Sequence, residues 1–386
     1  MIYLDNAATT PVRPEVVEVI HHAMVEFYGN PSSIYQLGKT VKHELMLAKQ
    51  AIAQALSVSW KDIYFTSGAT EANNWALRSQ IQLSQELYQK GHIVASNIEH
   101  SAVKNVLEEC QSQGIDVTYI NPNDHGQFDV QDFLDATRED TMGWVAMAVN
   151  NELGSILPIK ELGQAAKDHQ LWFHVDAVQA FGHVDMSDIL PYCTSTVSSG
   201  HKFGAPKGIG LLIYQAWDEA MYLKPMIVGG GQEDNKRSGT ENIPYILGYR
   251  TALELAIQEQ VTFLDHAHQL RQHLISQLQA KEIDFEINGD LHNYAPHITN
   301  IWFKGCPASQ LLIQLDLQDI CISAGSACSA GSVSESRILK AYYPDQIDRQ
   351  RDSIRISFSL QTTTEEITEF VNKLKPIIER MSNNGN

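Results

Sequence analysis

Small polar and charged residues collect where the apolar runs of this chain stop. After Ile63–Phe65 comes Thr66-Ser67-Gly68-Ala69-Thr70-Glu71. A small-residue turn that opens a helix offers backbone N–H groups and the positive end of the helix dipole, a cradle for phosphate, with the Thr70 hydroxyl as a further donor. An ordinary capped strand-to-helix turn has the same look. After Leu171–Val175 comes Asp176-Ala177-Val178-Gln179. Its carboxylate sits at the mouth of a sheet, although an N-cap would use the same residue. After Thr194–Val197 comes Ser198-Ser199-Gly200-His201-Lys202, followed by Gly204-Ala205-Pro206-Lys207-Gly208. A lysine amine among hydroxyl and imidazole groups is a candidate Schiff-base former, because carbonyl capture needs the neutral amine. Taken alone, Lys202 would read as a solvated surface lysine.

The coincidence of the three is more telling than any one of them. Pyridoxal 5′-phosphate (PLP) needs a phosphate cradle, a lysine for its aldehyde and a carboxylate that keeps its pyridine nitrogen protonated. All three needs are met at successive strand ends, where open α/β sheets place their ligands. Two more strand ends add to the set. Ile98-Glu99-His100-Ser101 offers an imidazole that could stack on the cofactor ring and handle protons, or simply begin a helix. Asn150-Asn151-Glu152 offers an amide to cofactor or substrate, or one that completes a turn.

Further along, Cys328 lies in Ala324-Gly325-Ser326-Ala327-Cys328-Ser329-Ala330-Gly331-Ser332, a run with little to pack that is expected to be mobile and exposed. Cys110, Cys193, Cys306 and Cys321 read as structural, so Cys328 is the candidate reactive thiol. At its ordinary pKa only a few per cent of such a thiol is thiolate near neutrality, so a neighbouring cation or base should help it. Ser353-Ile354-Arg355-Ile356-Ser357 places a guanidinium inside an apolar alternation. Its partner is either a substrate carboxylate held by two hydrogen bonds or a structural carboxylate.

These groups need a frame. Candidate strands 63–65, 92–96, 117–120, 144–149, 171–175, 194–197 and 209–214 are interleaved early on with helix-like segments 71–89, 102–113, 130–136 and 159–169. That rhythm predicts parallel βαβ units in a sheet buried on both faces. The last two strands lack a long helix between them, so one of the pair could run antiparallel. Beyond Tyr214 a helical stretch over 243–280 leads to strands 285–287, 298–303 and 354–358, with helices 309–316, 335–342 and 365–381. The fold class is α/β, with a large, mostly parallel-sheet domain at 15–254 and a small α+β domain formed by 1–14 and 255–386.

Composition excludes several classes. Hydrophobic residues are 43% of the 386 and charged residues 19%, too apolar for disorder. No apolar run approaches the roughly 20 residues that span a bilayer, so no membrane association is expected. Met1-Ile2-Tyr3-Leu4-Asp5-Asn6 meets a carboxylate too early for a secretory leader. The net charge of −18 repels phosphate backbones, which argues against direct nucleic-acid binding. The five cysteines, without a CxxC pair, point to reduced thiols in the cytoplasm and to no metal site.

With these residues in place the chain resembles the pyridoxal-phosphate cysteine desulfurases, fold-type-I PLP-dependent transferases of the class-V aminotransferase type. The resemblance runs from Tyr3-Leu4-Asp5-Asn6-Ala7-Ala8-Thr9-Thr10 through Gly29-Asn30-Pro31-Ser32-Ser33, the cradle turn, Asn150-Asn151-Glu152, the Lys202 motif and Arg237-Ser238-Gly239-Thr240 to the Arg355 strand. Gly325-Ser326-Ala327-Cys328 makes it specific for desulfurases, with Ala324 where many members carry Ser. The resemblance implies that Lys202 forms the Schiff base, Asp176 pairs with the pyridine nitrogen and His100 stacks on the ring. Gln179 and Asn151 would contact cofactor or substrate, and Ala69, Thr70, Ser199 and His201 the phosphate. Thr240 would reach the phosphate across a homodimer interface, and Arg355 with Asn151 would hold the carboxylate of L-cysteine. The implied reaction turns L-cysteine into L-alanine and leaves the sulfur as a persulfide on Cys328. A protein acceptor for iron–sulfur cluster assembly or for tRNA or cofactor thiolation would then take it. A selenocysteine lyase or related lyase is the rival enzyme. A non-catalytic sulfur-relay protein is the rival of another class, and it would need neither Lys202, Asp176 nor His100.

Overall fold

The structure is a computed structural model that describes residues 1–187, 189–325 and 336–384. Cys328 lies outside the described residues. In chain order the first half contains β1 (Ile2–Tyr3), α1 (Pro14–Glu26), α2 (Gln36–Leu56), β2 (Ile63–Thr66), α3 (Ala69–Tyr88), β3 (His92–Ser96), α4 (Ser101–Ser112), β4 (Asp116–Ile120), α5 (Val130–Ala136), β5 (Thr141–Met147), α6 (Ile159–Asp168), β6 (Trp172–Asp176), β7 (Ser195–Ser199) and β8 (Gly210–Tyr214). A single turn α7 (Gln232–Asn235) then leads to α8 (Ile243–Gln258) and α9 (Gln260–Ala280). The remainder is β9 (Glu286–Ile287), β10 (Ile298–Trp302), α10 (Ala308–Asp316), β11 (Ile320–Cys321), α11 (Arg337–Tyr342), α12 (Ile347–Arg351), β12 (Ser353–Ser357) and α13 (Thr364–Asn384).

The central sheet has seven strands in the order β2-β8-β7-β6-β5-β3-β4. Every pairing from β7 to β4 is parallel, whereas β8 runs antiparallel to both β7 and β2. The short 200–209 connection forces this, since a parallel return would need a crossover of a dozen residues or more. Strands β3, β5, β6, β7 and β8 are buried at every position, because helices cover both faces. Close packing between strands is set by residue size: a Cβ on Gly143 of β5 would lie 2.0 Å from the Trp172 ring of β6.

A second core is built from Ile2, Leu4, Leu270, Leu274, Leu311, Ile354, Ile356 and Phe370, among others. It surrounds the antiparallel sheet β12-β10-β9 and the parallel pair β1-β11. The helical stretch expected over 243–280 is broken at Glu259, which ends α8 and precedes α9. Glu259 accepts an ion pair from Arg13 (2.7 Å). The break falls where the chain leaves one core for the other: Ala252 and Ala256 of α8 belong to the first, Leu270 and Leu274 of α9 to the second. Helices α1 and α2 were not anticipated. In α1 only Val16 and Ala23 are buried, so no strong one-faced stripe marks it. Among the described residues no helix is long and apolar enough to cross a membrane.

Candidate active site

The C-terminal ends of β3, β5, β6 and β7 and the first turn of α3 surround a cavity of about 420 Å³. Ala69, Thr70, His100, Asn151, Asp176, Gln179, Ser199, His201, Lys202 and Arg355 all line it. Thr240 does not. It is exposed and lines a neighbouring cavity of about 240 Å³ that shares Ser67 and Gly208 with the first.

Lys202 ends a short 3₁₀ turn, Gly200–Lys202, directly after β7. Its Nζ donates to the carbonyls of Ala7 (2.7 Å) and Ala8 (2.9 Å). The N-terminal segment thus forms the floor of the site. Thr10 secures it by donating from its backbone N–H to the His201 carbonyl (2.9 Å), while its hydroxyl accepts from Gly204 N–H (2.9 Å). Gln179 also donates to the Ala7 carbonyl (2.8 Å). The backbone carbonyls of Ala7 and Ala8, which hold the Lys202 amine, were out of reach of side-chain reasoning, and Lys207 is a further lining cation it did not single out.

Asp176, the last residue of β6, is 3% exposed. Its Oδ1 accepts from Val178 N–H (3.1 Å) and its Oδ2 from the Asn73 amide (2.9 Å). No helix follows, so the carboxylate closes a turn after the strand and is not an N-cap. His100, by contrast, does cap α4: Nδ1 accepts from Ala102 N–H (3.1 Å). That fixes the neutral imidazole's proton on Nε2. The His201 imidazole is lowered to about 4 by burial, reinforced by the charges of Lys202 and Lys207, and is neutral near pH 7.

At the cradle, Gly68 precedes α3 and Glu71 folds back so that its Oε2 accepts from Ser67 N–H (2.8 Å). Burial raises the Glu71 carboxyl, but hydrogen bonds from Arg237 and Ser67 outweigh it and leave the group below its ordinary range. Strand β8 runs so close beneath the turn that a Cβ on Gly210 would lie 2.6 Å from the Gly68 Cα. Only glycine allows this approach.

Arg355 of β12 is 1% exposed and has the structural carboxylate that was one of the two partners expected for it. Nη2 pairs with Asp5 (2.7 Å) and Nη1 donates to the Asn151 carbonyl (2.8 Å). Nε is buried with no partner among the described residues, and the side chain lines the cavity. Asn150 completes its turn by accepting from the N–H groups of Glu152 and Leu153 (both 2.9 Å). Cys110, Cys193 and Cys306 are buried and Cys321 half-buried; burial pushes the Cys193 thiol up to about 12.

The residues present fit pyridoxal phosphate: a small-residue helix start, an anchored lysine and a buried carboxylate face one cavity. A doubly covered parallel sheet carrying such a strand-end site defines an aminotransferase-like enzyme, and the family model described as aminotransferase class-V matches residues 2–370. The putative cysteine desulfurase IscS 1 of Bacillus subtilis is 35% identical over 99% of this chain and 99% of its own length. The cysteine desulfurase IscS of Methanosarcina thermophila is 38% identical over 99% of this chain and 93% of its own. The chain belongs to the class-V aminotransferase family and, within it, to the cysteine desulfurases, whose enzymes work with pyridoxal phosphate. Among solved structures, a NifS-like protein superposes with a TM-score of 0.90 at 31% identity, covering 98% of this chain and 99% of that one. A structure titled SspA in complex with cysteine gives 0.79 at 31% identity, covering 94% and 100%.

Proposed function

We propose that this cysteine desulfurase binds pyridoxal phosphate in the 420 Å³ cavity, takes L-cysteine as substrate and moves its sulfur onto Cys328. The carrying observation is that Lys202, Asp176, His100, the first turn of α3 and Arg355 line one cavity. Lys202 anchors the cofactor, Asp176 pairs with its pyridine nitrogen, His100 stacks on the ring and Gln179 with Asn151 contacts its edge or the substrate. Ala69, Thr70, Ser199 and His201 hold the phosphate, with Thr240 joining from the partner subunit. When bound, the cofactor supplies an electron sink for charge developing at the substrate's α-carbon.

Asp5 and the Asn151 carbonyl hold the Arg355 guanidinium in place at the cavity wall, where it takes the substrate carboxylate. The Lys202 amine and the Nε2 proton of His100 would serve the proton transfers, each positioned acid or base contributing about 10²–10⁴-fold. The Cys328 thiolate attacks the substrate sulfur. A sulfur–sulfur bond forms, the carbon–sulfur bond breaks, and its electron pair and a proton end on the β-carbon. L-cysteine and a thiol become L-alanine and a persulfide, with atoms and electrons in balance.

The enzyme works in the cytoplasm as a homodimer, which the exposed apolar side chains Val17, Met24, Val25, Tyr28, Ile34 and Tyr35 around α1 and α2 support. Residues 1–14 and 255–386 act as the small domain that carries the Cys328 segment. A scaffold or thiolation protein accepts the sulfur. The test supplies L-cysteine and reductant to wild type, Cys328→Ser and Lys202→Ala, and quantifies alanine, sulfide and pyruvate. Equal alanine and sulfide from wild type, with both variants inactive, is the expected result. Full activity in Cys328→Ser would shift the assignment to a lyase, and pyruvate in place of alanine would make the reaction an elimination.

A further inference from the structure

Beneath Asp176 lies a chain of buried polar side chains that an apolar sheet–helix interface does not require. Asn73 and Gln80 stand two turns apart on α3, His174 lies two residues before Asp176 on β6, and Ser195 of β7 pairs in register with His174. None of Asn73, Gln80, His174 and Ser195 exceeds 1% exposure. Gln80 Nε2 lies 2.7 Å from Ser195 Oγ, Ser195 Oγ 2.7 Å from His174 Nδ1, His174 Nε2 2.9 Å from Asn73 Oδ1, and Asn73 Nδ2 2.9 Å from Asp176 Oδ2.

The direction of donation is fixed independently from the two ends. At the far end Gln80 Nε2 also meets the Ala76 carbonyl (3.1 Å), which can only accept, so Gln80 presents its NH₂. Ser195 therefore accepts from Gln80 and donates to His174 Nδ1. The imidazole then carries its proton on Nε2 and donates to Asn73, which in turn donates to Asp176. At the near end an ionised carboxylate likewise demands a donor. Reversing the chain would aim the Asn73 carbonyl oxygen at Asp176 and break the Ala76 contact. Burial lowers the His174 imidazole to about 3, so the relay adds no positive charge.

We propose that Gln80, Ser195, His174 and Asn73 form a one-way hydrogen-bond relay that positions Asp176 as an acceptor-only carboxylate for the pyridinium N–H of the cofactor. The inference rests on the reading that pyridoxal phosphate occupies the cavity. These four are positioning residues, acting through Asp176. The other charged or titratable groups that line the cavity with Asp176 are Glu71 of α3, His100 from the β3–α4 turn, His201, Lys202 and Lys207 after β7 and Arg355 of β12, and the buried Glu99 carboxyl feels the Asp176 charge.

The test is a pH titration of the cofactor's visible absorption in wild type, Asn73→Leu, Ser195→Ala and Ser195→Thr holoenzymes. A less firmly held Asp176 keeps the ring less positive, which makes the linkage at Lys202 more basic. Asn73→Leu and Ser195→Ala should move the midpoint upward by about half a pH unit, the scale of one weakened hydrogen bond. Ser195→Thr, which keeps the hydroxyl, should retain the wild-type midpoint. A wild-type midpoint in folded, cofactor-loaded Asn73→Leu or Ser195→Ala overturns the relay alone. Should Asn73→Leu not fold, the two Ser195 variants decide. Wild type that gains no visible band with added pyridoxal phosphate overturns the cofactor reading and the relay with it.

Discussion

Replacing Glu99 by Gln probes the electrostatics under the cavity. Glu99 is fully buried in the turn between β3 and α4, where Oε1 accepts from Met147 N–H (2.7 Å) and from the Ser96 hydroxyl. Oε2 meets no partner among the described residues. Burial above all, with the Asp176 charge adding to it, pushes this carboxyl up to about 8 from an ordinary 4.5. A group that holds its proton more tightly when folded contributes stability that is fully present below its unfolded pKa and is lost as pH rises through the folded one. Here that window runs from 4.5 to about 8, and the loss across it through Glu99 is about 2–4 kcal/mol. Gln cannot ionise and keeps the acceptor that serves Ser96 and Met147. The variant should therefore gain on wild type steadily as pH rises. Urea unfolding followed by the fluorescence of buried Trp75, Trp144 and Trp172 measures this at several pH values. His174 and His183, depressed by burial to about 3 and about 4, act in the opposite sense as pH falls below their unfolded value, but equally in both proteins. A stability difference that does not change with pH would refute a protonated Glu99.

Two further outcomes follow from the geometry. Gly210→Ala drives a Cβ into the Gly68 backbone beneath the cradle; it should weaken pyridoxal-phosphate binding by about tenfold or more in a fluorescence titration, from an overpacking cost of about 1–3 kcal/mol. Unchanged affinity would mean that the turn yields freely. Arg355→Lys removes the fork that spans Asp5, the Asn151 carbonyl and the cavity, so KM for L-cysteine should rise by about tenfold with a smaller change in kcat. A loss confined to kcat would place Arg355 outside substrate binding.

Much of the site was legible because its chemistry sits at strand ends. The seven sheet strands announce themselves as apolar, β-branched runs, and a reactive group directly after such a run has one place to be in an open α/β sheet. Asp176, Lys202 and His100 were singled out this way, and all three line the cavity. Asn73 and Gln80 were not, because polar residues on a helix read as solvated until the sheet is laid against them, and Ser195 was not, because a serine opening a strand carries no sign of its cross-strand partner. His174 did leave a signal: a histidine inside an apolar strand, two residues before Asp176, shares its face.

The sequence by itself determined the seven strands of the central sheet, the βαβ alternation and the residue types at each strand end, since these depend on local periodicity and on where that periodicity stops. It also confined the reversed strand to the β7–β8 pair, because the connection is too short for a crossover. The tertiary structure alone decided that Ala7 and Ala8 form the floor under Lys202, that Arg355 meets Asp5 across the chain, and that Thr240 opens on a neighbouring cavity. Those pairings join residues separated by 195, 350 and similar distances in sequence, and no local pattern encodes a long-range contact. Such contacts arise only once two cores, each burying its own apolar faces, set the ends of the chain against one another.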